Sequence, residues 1–309
     1  MAMHTPKMRT EYPFRTTMSG YIRSPDTPAV LLKCYSSTCT SEGPCLSPTC
    51  PFQVMAKGLG TLGVTNNLCS ECGSPHPDPR NYLRNLEPSL YSPIDLAAIL
   101  QDNNAKWISC KLHPRQTEFI WDENISNRVA NDLDLDEFGK LMNDWFAVLD
   151  TGYFFGSIRN RIKPIRVYTM ATIPEEIHGK GRYGWSDPSN DTINIVFTGQ
   201  RTYLEYVGTL LHEMLHAFFQ LFACRASLKC QIFLGSKAGI GHGHGKLWAE
   251  TMFSIESAFG RDFPNSLNCG MKRSVIGEMI ATGWNPSAEQ QTAWGIEDPL
   301  PFPIQGLRR

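Results

Sequence analysis

His212-Glu213-Met214-Leu215-His216 is an H-E-x-x-H. Histidines four apart on a helix project from one face a turn apart, so both rings can reach one zinc ion at about 2.0–2.1 Å, and Glu213 comes round beside them. Three protein ligands leave zinc a fourth position, taken by a water whose pKa falls to about 7. Glu213 can accept that water's proton and pass it to a leaving amine, so the chemistry such a site performs is peptide-bond hydrolysis. The bland alternative is a glutamate and two histidines merely solvated on a helix. It conflicts with the apolar flanks, Leu210, Leu211, Met214, Leu215 and Phe218, because ionisable groups set among such neighbours are costly without a partner.

A third ligand has to come from elsewhere. The longer H-E-x-x-H-x-x-G-x-x-H form is absent, since Phe219 and Phe222 stand where its glycine and histidine would be. Downstream, Gly241-His242-Gly243-His244-Gly245 opens a second helical pattern, and its glycines let backbone approach a metal closely. His244 is the natural donor and His242 its neighbouring rival. A His-His-Glu site would use Glu250 or Glu256 inside that second helix instead.

The elements that must position these groups are legible. Thr202 to Phe222 opens on an S/T-x-x-E capping box, Thr202 with Glu205, and carries Leu204, Val207, Leu211, Met214, Leu215, Phe218 and Phe222 as a buried side. Asp134 to Leu149 reads as an amphipathic helix with acidic residues in its first turn. Gly245 to Phe259 reads as the second site helix, stopped by Gly260, with a cysteine- and glycine-bearing loop before it. Strands are expected at 165–171, 181–186 and 192–198, the last two joined as a hairpin by Asp187 to Asp191. Shorter helices are expected near Pro93 to Gln101 and Ser274 to Thr282, then a Pro-rich tail. An extended substrate is expected to pair with the 192–198 strand. Tyr168, Arg182, Tyr183 and Trp185 are as well explained by strand packing or surface as by a role at a reacting centre.

Composition bounds the rest. Formal net charge is −1, from 29 basic and 30 acidic residues, which excludes a polybasic nucleic-acid or membrane binder. No apolar run of about 18 residues is present to span a bilayer, and the N-terminal MAMHTPKMRTEYPF lacks a secretory apolar stretch. The expectation is an intracellular protein in a reducing compartment. Ten cysteines in 309 residues are too sparse for a disulfide scaffold, so clustered ones point to metal. Six of them, Cys34, Cys39, Cys45, Cys50, Cys69 and Cys72, lie in a Pro-, Ser- and Thr-rich N-terminal region. The C-x-x-C of Cys69 and Cys72 has zinc-ribbon spacing, the earlier gaps are wider, and a second zinc would supply folding free energy that such a segment lacks.

Leu210 to Ala217 (LLHEMLHA) followed by Gly243-His244-Gly245-Lys246-Leu247-Trp248 resembles the SprT-like, or Spartan, metalloprotease domain. The resemblance covers about residues 130–262. It implies an α+β, zincin-like metalloprotease domain, helices packed on a small sheet, while composition and periodicity add an irregular Cys-rich arm over 1–129 and a helix and Pro-rich tail over 263–309. It implies His212, His216 and His244 as zinc ligands, Glu213 as general base, and a protein substrate that is DNA-bound or crosslinked, in the nucleus. Two departures stand out. Only Cys269 follows the second helix, where the family commonly has a zinc ribbon, and 27 residues separate His216 from His244. With near-neutral charge, DNA association is expected to be weak or indirect, and no membrane partner is expected. The competing readings are a catalytically idle zinc-stabilised binding module and an unrelated His-His-Glu peptidase using Glu250.

Overall fold

The computed structural model describes residues 21–23, 32–34 and most of 76–296, with 84, 107–110, 114, 117–129, 131–132, 176, 178–181, 188–189, 238–243 and 264–266 left out. The described residues form a mixed α+β arrangement with seven α-helices: α1 (Pro93–Asn104), α2 (Leu135–Tyr153), α3 (Tyr203–Phe222), α4 (Leu228–Lys237), α5 (Lys246–Asp262), α6 (Met271–Thr282) and α7 (Ala288–Ala293). Strands β1 (Tyr21–Arg23) and β2 (Leu32–Cys34) form an antiparallel pair. A three-stranded sheet is built from β3 (Arg166–Thr169), β4 (Gly184–Asp187) and β5 (Thr192–Phe197) in the order β3-β5-β4.

The site helix α3 starts where its capping chemistry dictates: the Thr202 hydroxyl accepts the Glu205 N–H while the Glu205 carboxylate accepts the Thr202 N–H. Helix α2 is capped by Asp134, which accepts from Glu137 N at 2.7 Å. It buries Phe138, Met142, Trp145, Phe146 and Leu149. Phe138 sits 4.5 Å from the Phe197 ring and 4.7 Å from Tyr206, so one aromatic cluster joins α2, β5 and α3.

The hairpin is realised as expected, with Gly184 opposite Ile195 and Asp187 opposite Thr192. Its turn is held by Asn190, whose amide donates to Asp187 Oδ2 at 2.7 Å. β3 pairs with β5 in parallel. β5 is therefore the central strand and is buried along nearly its whole length. This corrects the expectation that a substrate pairs with 192–198, since both edges of that strand are already hydrogen-bonded and, among the described residues, the outer strands are β3 and β4.

Residues 79–104, expected to belong to an unpacked arm, pack into the same core through Leu86, Tyr91, Leu96 and Leu100. The backbone explains their hold: Ser89 N donates to Leu221 O at 2.8 Å, and Leu90 N and Tyr91 N both reach Phe222 O, so this segment satisfies carbonyls that the end of α3 leaves open. Asn103 caps α2 in the same way, donating to Gly152 O and Tyr153 O at 3.1 and 3.0 Å. Three further expectations change. Gly260 does not stop α5, which runs on to Asp262, its last turn held by Phe259 stacked on Phe263 at 3.8 Å and by Arg261 on Asp262. The region before α5, expected as loop, contains α4, and the tail contains α7.

Candidate metal centre

His212 and His216 leave α3 one turn apart, and His244 stands just before α5, whose N-cap is Gly245. Their Nε2 atoms form a tight triangle: 3.2 Å from His216 to His212, 3.2 Å from His216 to His244 and 3.0 Å from His244 to His212. A tetrahedral ion with metal–nitrogen distances of about 2.0–2.1 Å sets its ligand nitrogens about 3.3 Å apart. The three residues expected as ligands are thus the three brought together, and the cluster could hold a metal ion.

The donor set fits a cation on chemical grounds too. His212 Nδ1 lies 2.8 Å from the Cys269 carbonyl. A carbonyl only accepts, so Nδ1 carries the hydrogen and Nε2 presents a lone pair to the centre. Burial holds His212 down to about 4. It also holds His244 down to about 3 and His216 well below the ordinary histidine value, with the neighbouring rings adding to both shifts. Three unprotonated nitrogens aimed at one point repel each other unless a cation stands between them. His216 Nδ1 is buried and has no hydrogen-bond partner among the described residues.

Trp248 forms the floor. It is fully buried, stacks on His216 with ring centroids 5.3 Å apart and planes 19° apart, and lies 4.4 Å from the His244 ring and 4.8 Å from His212. Its place one turn after His244 follows from the helical spacing of α5.

Glu213 is buried beside the trio. Burial pushes its carboxyl up to about 7, against the opposing pull of the Ser186 backbone hydrogen bond and the Arg182 charge. β4 can press this close because residue 184 is glycine: a Cβ there would lie 2.8 Å from Thr209 Cγ2 and 3.1 Å from Glu213 Cγ. Arg182 also lies near enough to His216 and His244 to disfavour their protonation.

The rival ligands sit elsewhere. Glu250 accepts from Gln290 Nε2 at 2.7 Å and faces Lys246. Glu256 accepts the Cys269 N–H at 2.7 Å. Neither belongs to the cluster, so a His-His-Glu set has no support in this arrangement. His242 lies outside the described residues, as do Cys39, Cys45, Cys50, Cys69 and Cys72; of Cys34 only the backbone at the end of β2 is described.

Three contributors carried no signal in the sequence. They are the Cys269 carbonyl, the Glu278 carboxylate, which accepts the His244 N–H at 2.9 Å, and Gly208, where a Cβ would run into the Asn268 carbonyl. All three contacts involve a backbone atom of a distant residue, which side-chain spacing does not report.

Comparison of the chain with protein-family models, curated proteins and solved structures gave no match. The family resemblance therefore rests on the residues quoted above, and the chemistry rests on the site itself.

Proposed function

We propose that the protein is a zinc-dependent endopeptidase of zincin-like architecture, similar to SprT-like proteases. The observation that carries the reading is the convergence of three histidine Nε2 atoms beside a buried glutamate on the same helix. Three neutral imidazoles with an open fourth position suit zinc. A bound zinc supplies a Lewis acid and lowers the pKa of a coordinated water to about 7.

The remaining work falls to the chain. His212, His216 and His244 hold the ion. Glu213 takes and returns the proton, and the burial that pushes its carboxyl up to about 7 in the metal-free protein makes it a stronger base than an exposed glutamate. The Ser186 N–H and Arg182 favour its proton-accepting form. A structural zinc has no use for such a buried carboxylate, so the idle binding module explains less. The edge of β4, an outer strand among the described residues, is where an extended polypeptide would pair rather than at β5, giving affinity with little sequence selectivity. The resemblance adds DNA-bound or crosslinked proteins as the substrate class and a nuclear setting. With a net charge of −1, recruitment to DNA is assigned to a partner or to the N-terminal cysteines. Among the described residues no helix is long and apolar enough to cross a membrane.

The test is hydrolysis of casein and self-cleavage by the wild type and by Glu213→Gln, with zinc measured in both. The expected result is equal zinc and a loss of at least about a hundredfold in turnover in the variant, since an amide cannot accept the proton. Undiminished turnover would exclude Glu213 as the base.

A further inference from the structure

The residues after α5, expected as a separate tail, reach the metal centre twice. Cys269 gives its carbonyl to His212 Nδ1 at 2.8 Å, while its own N–H is held by Glu256 of α5 at 2.7 Å. From α6, Glu278 reaches back to accept the His244 N–H at 2.9 Å. Each side thus grips the other: Glu256 of α5 holds the backbone of Cys269 and Met271, and α6 holds His244, which precedes the N-cap of α5. The stretch around Cys269 lies flush on α3 because Gly208, one turn before His212, has no Cβ to meet the Asn268 carbonyl. Glu278 is buried, so removing its carboxylate leaves the His244 N–H with no nearby replacement from water.

We propose that Glu256 and Glu278 are positioning residues of the metal centre, a reciprocal clasp that fixes the ring of His212 through the Cys269 backbone and the placement of His244 through its N–H. The clasp makes residues 267–282 part of the site. Outer groups that orient ligating histidines typically govern metal affinity by about 10- to 100-fold. The inference rests on the trio being the metal centre proposed above, but not on the protein being a peptidase.

Co2+ is the probe, titrated into the metal-free full-length chain and followed by its visible absorption, whose intensity reports tetrahedral coordination. The wild type is expected to bind with intense tetrahedral bands. Glu278→Ala is expected to bind about 10- to 100-fold more weakly with bands of reduced intensity. Glu278→Gln keeps an acceptor oxygen and is expected to restore both affinity and spectrum. Glu256→Ala and Glu256→Gln should behave in the same order. Should Glu278→Ala fail to fold, Glu278→Asp retracts the carboxylate by one methylene and is expected to lose about tenfold. Wild-type affinity and spectrum in folded Glu278→Ala or Glu278→Asp would overturn the clasp. So would Glu278→Gln falling as far as Glu278→Ala. A wild-type chain that takes up no Co2+ would overturn the metal centre and the clasp together. Co2+ binding without hydrolysis of any protein overturns the peptidase reading alone and leaves the clasp standing.

Discussion

Protonation and metal binding compete for the same three nitrogens, and burial decides where on the pH scale that competition begins. In the metal-free protein His212 is held down to about 4 and His244 to about 3, with His216 also depressed. A histidine whose folded pKa is lowered stays unprotonated, and ready to ligate, until the pH falls near that lowered value. Metal affinity, measured against a competing chelator, is therefore expected to change less than about tenfold between about pH 7.5 and pH 5.5. Three exposed histidines with ordinary values near 6.5 would weaken progressively below that point. A steep loss beginning at about pH 6.5 would contradict the buried geometry. Gly184 offers a second test. The Cβ of Gly184→Ala meets Thr209, Asn194 O and Glu213 Cγ, an overpacking expected to cost about 1–3 kcal/mol in thermal unfolding and to displace Glu213 from its partner at Ser186. Turnover should fall by more than metal affinity does. At this scale His212, Glu213 and His216 were legible from spacing alone, because i and i+4 share a helix face. Cys269 and Glu278 were not, because what they offer depends on a fold that brings distant segments together.

Helices whose apolar period is strong read true within a few residues, as α2, α3 and α5 did. α4 was missed because its sequence does not sort by face: Cys230 and Leu234 are buried while Leu228 and Ile232 are 70% and 61% exposed. Gly260 was misread as a stop because helix propensity disfavours glycine by only about 1 kcal/mol, less than the Phe259–Phe263 stack and the Arg261–Asp262 pair at the same helix end can supply. Element ends also supply predictions. Thr202→Ala removes half of the capping box of α3 and is expected to cost about 1 kcal/mol. Asn103→Ala takes the side-chain donor from the Tyr153 carbonyl at the end of α2 and leaves Gly152 O to Lys111 Nζ alone, and is expected to cost about 1–3 kcal/mol. Both are measured by denaturant unfolding of the metal-loaded chain. Neither should alter the Co2+ spectrum, because neither residue touches the trio. A cost for Asn103→Ala below that of Thr202→Ala would mean that water replaces the lost donor.

For the whole molecule the consequence is where the folded unit ends. Segment 89–91 closes the end of α3 and 267–282 reaches the ligands, so the unit expected over 130–262 lacks parts at both sides. Residues 130–262 alone are expected to show no cooperative unfolding transition, whereas residues 76–296 are expected to melt cooperatively and bind metal with full-length affinity. Circular dichroism melts of the two pieces decide this, and a cooperative melt of 130–262 would reject it. With a net charge of −1, the full chain is expected to bind duplex oligonucleotides weakly in fluorescence anisotropy, with a shallow salt slope. Tight, steeply salt-dependent binding would reveal a local basic surface hidden in the total. The sequence by itself determined the capped helix, the two histidines and glutamate it carries, the hairpin beside it and the absence of a polybasic footprint. Each of these follows from local spacing, turn chemistry or a sum over residues. Only the tertiary structure decided that β5 is central with β3 and β4 outside it, that Glu250 and Glu256 lie outside the histidine cluster, and that segments on both sides of the expected domain pack onto it, one closing the end of α3 and the other reaching the histidines. Those outcomes depend on which backbone groups of remote segments meet, and no periodicity along the chain encodes a hydrogen bond between residues 57 positions apart, as His212 and Cys269 are.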